Sequence, residues 1–218
     1  MGQQDGFYHD HYDPEDVNHA LFQDVLESHI GEDGDIWIFG FGSLLHTPGF
    51  GYSDVVKGYI KGFKRVWWQG STDHRGTVER PGRTVTLIRD ADSVTYGVAY
   101  KLDGDLEQQK ETLKYLEWRE KQYDHREYVD VYAAVEDEEP VLREVLCYIA
   151  TDNTEANPNY LGPASMEALA VQIAGAVGPS GPNSEYLFKM EEALQHVRES
   201  DEELFVLADR VRDILRDE

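Results

Sequence analysis

The chain has 218 residues, 40% of them hydrophobic, which is enough for one sizeable core and for one or at most two domains. With 20 Lys and Arg against 43 Asp and Glu, its net charge is −23, and this field repels nucleic acid and anionic membranes. No apolar run is long enough to span a membrane. We therefore predict no nucleic-acid or membrane partner, and any anionic substrate needs positive groups in its own pocket.

Residues 1–35 form a polar, acidic segment that we predict to be an N-terminal extension, ordered at most as one helix, before a compact domain at 36–218. Its histidines match no metal-ligand spacing, so we predict no metal site. It also lacks the basic start and apolar centre of a signal peptide. The single cysteine, Cys147, stands in a strand-like apolar run and suits a reducing compartment. We predict a cytoplasmic protein, and nothing in the sequence indicates an obligatory protein partner.

The first strand of the compact domain runs into two glycines in "WIFGFGSLLH", residues 37–46. Glycine lets a ligand approach the backbone closely. A dinucleotide fingerprint needs a third glycine, and a phosphate-binding P-loop needs Gly-Lys-Ser/Thr; neither is present. A nucleophile elbow needs Gly-x-Ser-x-Gly, but Gly42 directly precedes Ser43 and no glycine follows it. Two interpretations remain open: a backbone nest for a small anionic or zwitterionic group, or a plain turn.

Short β-rich runs broken by Gly or Pro follow, with helical patterns between and after them. The last helical pattern begins with a capping box, Ser200 to Glu203, and its apolar stripe comprises Leu204, Leu207, Val211 and Ile214. Strands and helices do not alternate one for one. This order predicts an α+β domain with a curved or closed sheet rather than a doubly wound one.

The stretch "WWQGSTDHRGTVERPGR", residues 67–83, holds Ser71, Asp73 and His74 side by side. Residues this close in sequence do not easily converge into a triad, so a serine hydrolase is weakly supported. Arg75 and Arg83 stand near glycines in a very acidic chain. They either clamp a carboxylate or bridge local acidic side chains.

The segment "DLEQQKETLKYLEWREK", about residues 105–121, predicts a helix. With Leu113 at zero on an ideal wheel, Leu116 falls at about −60° and Glu120 at about −20°, while Glu117 falls at about +40°. Glu120 thus lies in the leucine stripe, and Arg119 points elsewhere. A buried carboxylate has a raised pKa and suits a general base. Alternatively, the helix ends early and Glu120 reaches solvent.

Together these stretches resemble the ChaC family, the glutathione-specific γ-glutamylcyclotransferases. The resemblance covers about residues 36–215 and rests on the motifs "GFGSL", "WQGSTDHRG", "PGR", "WREK", "NPNYLGPA" and "GPSGPNSEYL". It implies an α+β fold built on a small mixed or antiparallel β-barrel with surrounding helices. It also implies cleavage of glutathione to 5-oxoproline and cysteinylglycine without a cofactor.

The resemblance also implies roles for particular residues. The acid/base Glu of the family maps onto Glu120. Arg75 or Arg83 would hold the glycine carboxylate of glutathione. The loop that holds the γ-glutamyl group maps onto Ile38, Phe39, Gly40, Phe41, Gly42, Ser43 and Leu44.

Two positions depart from the family pattern. The family tyrosine of the loop is Phe41 here, so a hydroxyl is missing, which matters only if more than the backbone is used. A Gly-Tyr pair usually follows the catalytic Glu by four residues, whereas here Tyr123 comes one residue early and Asp124 takes the matching place. Two alternatives remain: a cyclotransferase for other γ-glutamyl peptides or amines, and a non-catalytic protein that binds a γ-glutamyl ligand.

Overall fold

The computed structural model describes residues 35–196 and 201–217, together with residue 13. The predicted extension, residues 1–35, lies almost entirely outside the described residues, and so do its histidines. Ser200, the first residue of the predicted capping box, lies outside them as well. The division of the chain at residue 36 therefore stays a prediction.

The described residues form a five-stranded main sheet, a small hairpin and four helices. The strands of the main sheet are β1 (Trp37–Gly40), β2 (Tyr52–Ser71), β3 (Gly82–Leu102), β4 (His125–Val131) and β5 (Leu142–Ile149). The hairpin consists of β6 (Val177–Gly178) and β7 (Gly181–Pro182). The helices are α1 (Leu106–Arg119), α2 (Met166–Gly175), α3 (Asn183–Leu194) and α4 (Glu202–Asp217). The predicted α+β class is confirmed.

No continuous ladder closes the main sheet among the described residues, so the predicted β-barrel is found only as a five-stranded sheet. Its strand order is β2-β3-β1-β5-β4, with β1 parallel to β5 and the other neighbours antiparallel. The edge strands β2 and β4 approach each other beyond the end of β4. There Tyr59 and Tyr132 exchange one pair of backbone hydrogen bonds, both 2.8 Å. Closure needs a continuous ladder between the edges, and β4 is only seven residues long.

Strands β2 and β3 form one long hairpin of 20 and 21 residues. Two of the short β-rich runs of the sequence, "RTVTLIR" at 83–89 and "VTYGVAYKL" at 94–102, both belong to β3. The pairing jumps from Arg89 opposite Phe63 to Val94 opposite Lys61, so residues 90–93 bulge out of the ladder. Opposite them Gly62 has φ +80°, a backbone angle that favours glycine. The interruption in the sequence therefore marks a bulge and not the end of a strand.

Both faces of the main sheet are covered, because neighbouring residues of β1 point to opposite sides. Ile38 packs with Leu113 and Leu116 of α1 on one face. Phe39 belongs to the larger core on the other face, which α2, α3 and α4 cover. Cys147 of β5 is fully buried in that core, as predicted. The loop after β1 therefore starts between two packed layers.

The helices follow their sequence signals. Asp105 caps α1, and Gln108 completes a capping box. Three residues of the predicted α4 stripe are fully buried and the fourth is partly buried, in the order Leu204, Leu207, Val211 and Ile214. None of the four described helices combines the length and the hydrophobicity that a bilayer-spanning segment needs.

Candidate active site

A cavity of about 220 Å³ opens beside the end of α1. Its walls come from six separate parts of the chain: the loop after β1, the end of β2 with the loop that follows it, Thr84 of β3, the end of α1, the β6–β7 hairpin and α3. The side chains that matter below are Ser43, His46, Ser71, His74, Arg75, Arg119, Glu120, Tyr123, Ser180, Tyr186 and Lys189. Four of the motifs singled out in the sequence thus meet in one place: "GFGSL", "WQGSTDHRG", "WREK" and "GPSGPNSEYL".

The glycines after β1 are needed because the loop turns back on itself and is tightly packed. A Cβ at Gly40 would lie 2.5 Å from the Cβ of Leu44. A Cβ at Gly42 would lie 3.1 Å from Val85 of β3 and 3.2 Å from the hydroxyl of Tyr186 on α3. A side chain at either position would push the loop away from its neighbours. Close backbone packing therefore accounts for both glycines.

The loop continues as a 3-10 turn, Ser43–Leu45, which leaves backbone donors at its start. Leu45 N–H donates to Gly42 O at 3.0 Å, and Thr47 N–H donates to Ser43 O at 2.9 Å. The first N–H groups of any helical turn have no acceptor within that turn, so those of Ser43 and Leu44 remain available to another acceptor. A small recess of about 20 Å³ is lined by loop residues 39–44 together with Glu120, Tyr123 and Tyr148.

Glu120 is the C-cap residue of α1, and its N–H donates to Leu116 O at 2.8 Å. The regular helix ends at Arg119, yet the Glu120 side chain stays buried at 11% exposure. Its Oε1 lies 3.3 Å from Arg119 Nε but is buried without an aligned hydrogen bond among the described residues. Burial raises the pKa of the Glu120 carboxyl above its ordinary value of 4.5, and nearby positive charges, Arg119 foremost, partly oppose that rise.

Arg119 lines the cavity, although the helical wheel pointed it elsewhere. Its side chain curls back onto the loop, where Nη2 donates to Thr47 O at 2.8 Å and to Ser43 Oγ at 3.2 Å, and Nη1 donates to Pro48 O. A wheel places Cβ directions, whereas a long side chain can reach around the end of a helix. Arg119 therefore fixes the glycine loop against the end of α1, beside Glu120.

Glu117, which the wheel placed at the edge of the stripe, is fully buried. Its carboxylate accepts hydrogen bonds from Nε and Nη2 of Arg126 on β4, with Nε 3.2 Å from each oxygen. Nη1 of Arg126 also donates to Tyr123 O at 2.5 Å. This ion pair joins α1 to β4 and holds the chain segment that follows Glu120.

The loop after β2 contributes Ser71, His74 and Arg75 to the cavity. Ser71 Oγ accepts a hydrogen bond from Arg75 N–H at 2.9 Å, and His74 Nδ1 lies 3.3 Å from Ser180 Oγ. Ser71 and His74 therefore engage different partners, and the described hydrogen bonds give no triad. The guanidinium of Arg75 donates to Pro182 O at 3.1 Å and lies 3.4 Å from a carboxylate oxygen of Glu185.

Arg83 lies away from the cavity lining. Its Nη1 donates to Trp67 O at 3.0 Å and to Gly162 O at 2.6 Å, and its Nε donates to Gln172 of α2 at 2.8 Å. Its guanidinium is thus occupied in joining three chain segments. Of the two arginines proposed to clamp a carboxylate, only Arg75 reaches the cavity.

Several lining residues received no role from the sequence: His46, Tyr123, Tyr186 and Lys189. Tyr186 stands in the "GPSGPNSEYL" motif, and Lys189 follows it by three residues, so the two share a face of α3. Tyr123 donates its hydroxyl to Val85 O at 2.9 Å. The motif indicated Tyr186, but no sequence pattern marked the other residues of this group.

A family model described as ChaC-like protein matches residues 36–214. The chain belongs to the ChaC-like family. The resemblance of its motifs is thereby confirmed, and the match spans the main sheet, the cavity and all but the last turn of α4.

Curated relatives agree with this assignment. The ChaC-like chain is 48% identical over 180 residues to γ-glutamylcyclotransferase 2-3 of Arabidopsis thaliana, covering 83% of this chain and 90% of that protein. It is 43% identical over 191 residues to glutathione-specific γ-glutamylcyclotransferase 1 of Homo sapiens, covering 84% and 82%. A crystal structure of a yeast γ-glutamyl cyclotransferase specific to glutathione superimposes with a TM-score of 0.71 at 32% identity, covering 82% of this chain and 96% of that one.

Both departures from the ChaC pattern have structural partners. Phe41 is buried, and its carbonyl accepts a hydrogen bond from Arg65 Nε at 2.9 Å, so its backbone is fixed without a hydroxyl. Asp124 accepts hydrogen bonds from the backbone N–H and the hydroxyl of Thr151, at 2.7 and 2.5 Å. The chain therefore leaves α1 through a turn that Asp124 anchors to the end of β5.

The charge of the cavity is opposite to that of the chain. Three cationic side chains line it, namely Arg75, Arg119 and Lys189, and Glu120 is the only carboxylate among the described lining residues. The chain as a whole carries −23. An anionic molecule that is repelled at long range thus meets a locally positive surface inside.

Proposed function

We propose that this ChaC-like chain cleaves glutathione into 5-oxoproline and cysteinylglycine by intramolecular cyclisation. The names of the human and yeast relatives support the substrate. The observation that carries the proposal is the Glu120 carboxylate, which is buried at the cavity, has a raised pKa and has one oxygen, Oε1, without a hydrogen-bond partner among the described residues. Such a group is suited to carry a proton near neutral pH.

The nucleophile in this mechanism belongs to the substrate. The α-amine of the γ-glutamyl residue attacks its own γ-carbonyl carbon, a new C–N bond closes the lactam, and the bond to the cysteinyl nitrogen breaks. Glu120 accepts one proton from the ammonium and donates it to the departing cysteinyl nitrogen. It then takes the second proton from the ring nitrogen, and this proton passes to the released amine, which becomes an ammonium. Two protons leave one nitrogen and two reach the other, so none is gained or lost overall. We expect no cofactor, because both reacting groups are in one molecule.

The loop after β1 holds the γ-glutamyl group in this proposal. The segment from Ile38 to Leu44 ends in a turn whose first N–H groups have no acceptor within the turn, and its residues 39–44 line the recess beside Glu120. Backbone donors fixed in place stabilise either the α-carboxylate or the oxyanion that forms during attack. They also hold the flexible γ-glutamyl chain in the conformer that cyclises.

Arg75 provides positive charge for the glycine carboxylate of glutathione, and Arg83 is not assigned this role because its guanidinium is occupied elsewhere.

We place the reaction in the cytoplasm, where thiols such as glutathione are kept reduced.

The experiment is to incubate the full chain with glutathione and with γ-glutamyl-alanine and to follow the products by mass spectrometry. Equal amounts of 5-oxoproline and cysteinylglycine from glutathione, with little product from γ-glutamyl-alanine, are expected. Similar rates for both would favour a broader γ-glutamyl substrate class. Glutathione binding without any product would overturn the proposal in favour of a binding protein.

A further inference from the structure

Among the residues that the structure describes, Lys189 is the cavity cation for which no hydrogen bond or ion pair is found. Arg75 lies beside Glu185, and Arg119 donates to the glycine loop and lies 3.3 Å from Glu120. Lys189 makes no hydrogen bond or ion pair with any residue that the structure describes, although the chain contains 43 acidic residues. Glu185 and Glu192 stand one helical turn away on either side, but neither forms an ion pair with Lys189. An ammonium at a cavity wall that is not engaged in an ion pair is available to an anionic ligand.

The position of Lys189 is fixed by the packing of α3. At the start of that helix, Asn183 is fully buried and pairs with the backbone of Arg83, accepting from its N–H at 2.6 Å and donating to its carbonyl at 2.8 Å. Three residues further on, Tyr186 packs edge-on against Trp67 with ring centroids 5.7 Å apart. Lys189 shares the face of Tyr186 and therefore projects into the cavity.

His46 supplies an unpaired polar atom on the same wall. Its Nδ1 lies 2.8 Å from Thr47 Oγ1, and its Nε2 is buried without a hydrogen-bond partner among the described residues. Burial, followed by the charge of Lys189 and then those of the two cavity arginines, lowers the pKa of His46 to about 4. The imidazole is therefore neutral near neutral pH, and Nε2 can donate when the proton resides there.

The recess and this wall are different parts of the site. The recess beside Glu120 is lined by loop residues 39–44 and contains none of the cationic side chains. His46 and Lys189 line only the larger cavity. Glutathione has two carboxylates, and two extended residues of about 3.5 Å each separate the reacting γ-carbonyl from the glycine carboxylate. The recess has a volume of only about 20 Å³, so a substrate can place at most a small group of its γ-glutamyl end there. With the reacting carbonyl at the mouth of the recess, the distal carboxylate extends into the larger cavity.

We propose that Lys189, together with His46 Nε2, binds the distal carboxylate of the substrate. Through this contact Lys189 selects glutathione over γ-glutamyl compounds that lack that charge. The inference rests on the proposed cyclisation and assigns its specificity to α3. Arg75 adds positive charge, but its guanidinium is shared with Pro182 O and Glu185.

The test compares glutathione with its glycine ethyl ester, which has the same length but lacks the distal charge. Lys189→Met should raise KM for glutathione roughly tenfold, the loss of one charge-assisted hydrogen bond, and leave kcat within about twofold. The KM for the ester should be the same in the wild type and in Lys189→Met. Lys189→Arg should bring the KM for glutathione most of the way back to the wild-type value. Lys110→Met, which removes a positive charge from an exposed pair on α1, is the matched control and should change neither substrate.

A binding measurement separates this inference from the proposed function. Both ligands are titrated calorimetrically into Glu120→Gln and into the same variant carrying Lys189→Met. Tenfold weaker binding of glutathione alone supports the role of Lys189 even if the wild-type chain forms no product. If Lys189→Met still turned over glutathione and kept the wild-type preference for glutathione over the ester, the inference would be overturned. The proposed cyclisation would not be affected. Equal binding of acid and ester by every variant would also overturn it.

Discussion

Two buried carboxylates, Glu117 and Glu120, lie three residues apart at the end of α1, and they differ in the hydrogen-bond donors around them. Glu117 is fully buried and receives two donors from Arg126, so its charge is matched within the fold. Glu120 is almost as buried, but its Oε1 has no aligned donor among the described residues, and Arg119 beside it donates instead to the glycine loop. Burial by itself therefore does not distinguish a structural carboxylate from a reactive one.

The difference lies in what each carboxylate faces. Glu117 faces β4 and closes the gap between helix and strand, whereas Glu120 faces the recess and the cavity. A buried ion pair with good geometry holds segments together, although its net contribution to stability is small. A buried carboxylate left open to a cavity costs stability and gains reactivity. The following predictions test whether the two residues can be separated in this way.

The largest effect is expected for Glu120→Gln. The amide cannot accept the ammonium proton, so kcat for glutathione should fall at least about 1,000-fold, or about 4 kcal/mol in the barrier. Thermal unfolding should show an intact fold. Glu111→Gln, an exposed change on the same helix, is the control and should keep full activity. Wild-type turnover by Glu120→Gln would refute the role of this residue.

Glu117→Gln should act on stability instead of chemistry. It leaves the Arg126 guanidinium, only 6% exposed, without its anion, which costs about 3 kcal/mol. For a chain of this size that corresponds to a fall in Tm of roughly 6–12 °C. Differential scanning calorimetry measures it, and kcat of the folded protein should fall far less than in Glu120→Gln. An unchanged Tm would mean that the two carboxylates do not differ as described.

The pH dependence of turnover should report the raised pKa of Glu120. The carboxylate must be ionised to act as a base, so kcat/KM should fall tenfold per pH unit below that pKa. Because burial raises the pKa, the midpoint of this acid limb should lie above 4.5. An acid limb centred at or below 4.5 would contradict the assignment.

The same shift has a consequence for stability. Between pH 4.5 and the raised pKa, the unfolded chain has lost a proton that the folded chain keeps. Wild-type stability should therefore fall as the pH rises through that window, relative to Glu120→Gln. Paired unfolding curves across the window measure the difference, and parallel curves would argue against a raised pKa.

The smallest effect is expected for Phe41→Tyr, which restores the hydroxyl of the family pattern. The loop backbone is already held by the hydrogen bond from Arg65 to Phe41 O, and the ring is buried. If the loop works through its backbone, kcat/KM should stay within about twofold, a change of about 0.4 kcal/mol. A tenfold gain would show that a side-chain hydroxyl at this position contacts the substrate.

What the sequence could predict depended on how local the signal was. Helical periodicity placed Glu120 toward the core, and the motif resemblance indicated the family and the glycine loop. The extent to which the sheet closes could not be predicted, because pairing between β2 and β4 depends on contacts far apart in sequence. Arg119 was misplaced because a wheel ignores side-chain length. Lys189 was missed because a lysine on a polar helix face has no distinctive pattern until the cavity is known.

The most direct test of intramolecular attack is to run the reaction in water labelled with heavy oxygen and to weigh the glutamyl product. Cyclisation uses the substrate's own amine and no water, so we expect unlabelled 5-oxoproline in the same amount as cysteinylglycine. Glutamate carrying the heavy oxygen would mean that water attacks the γ-carbonyl. That result would contradict the account, because the chain would then be a hydrolase.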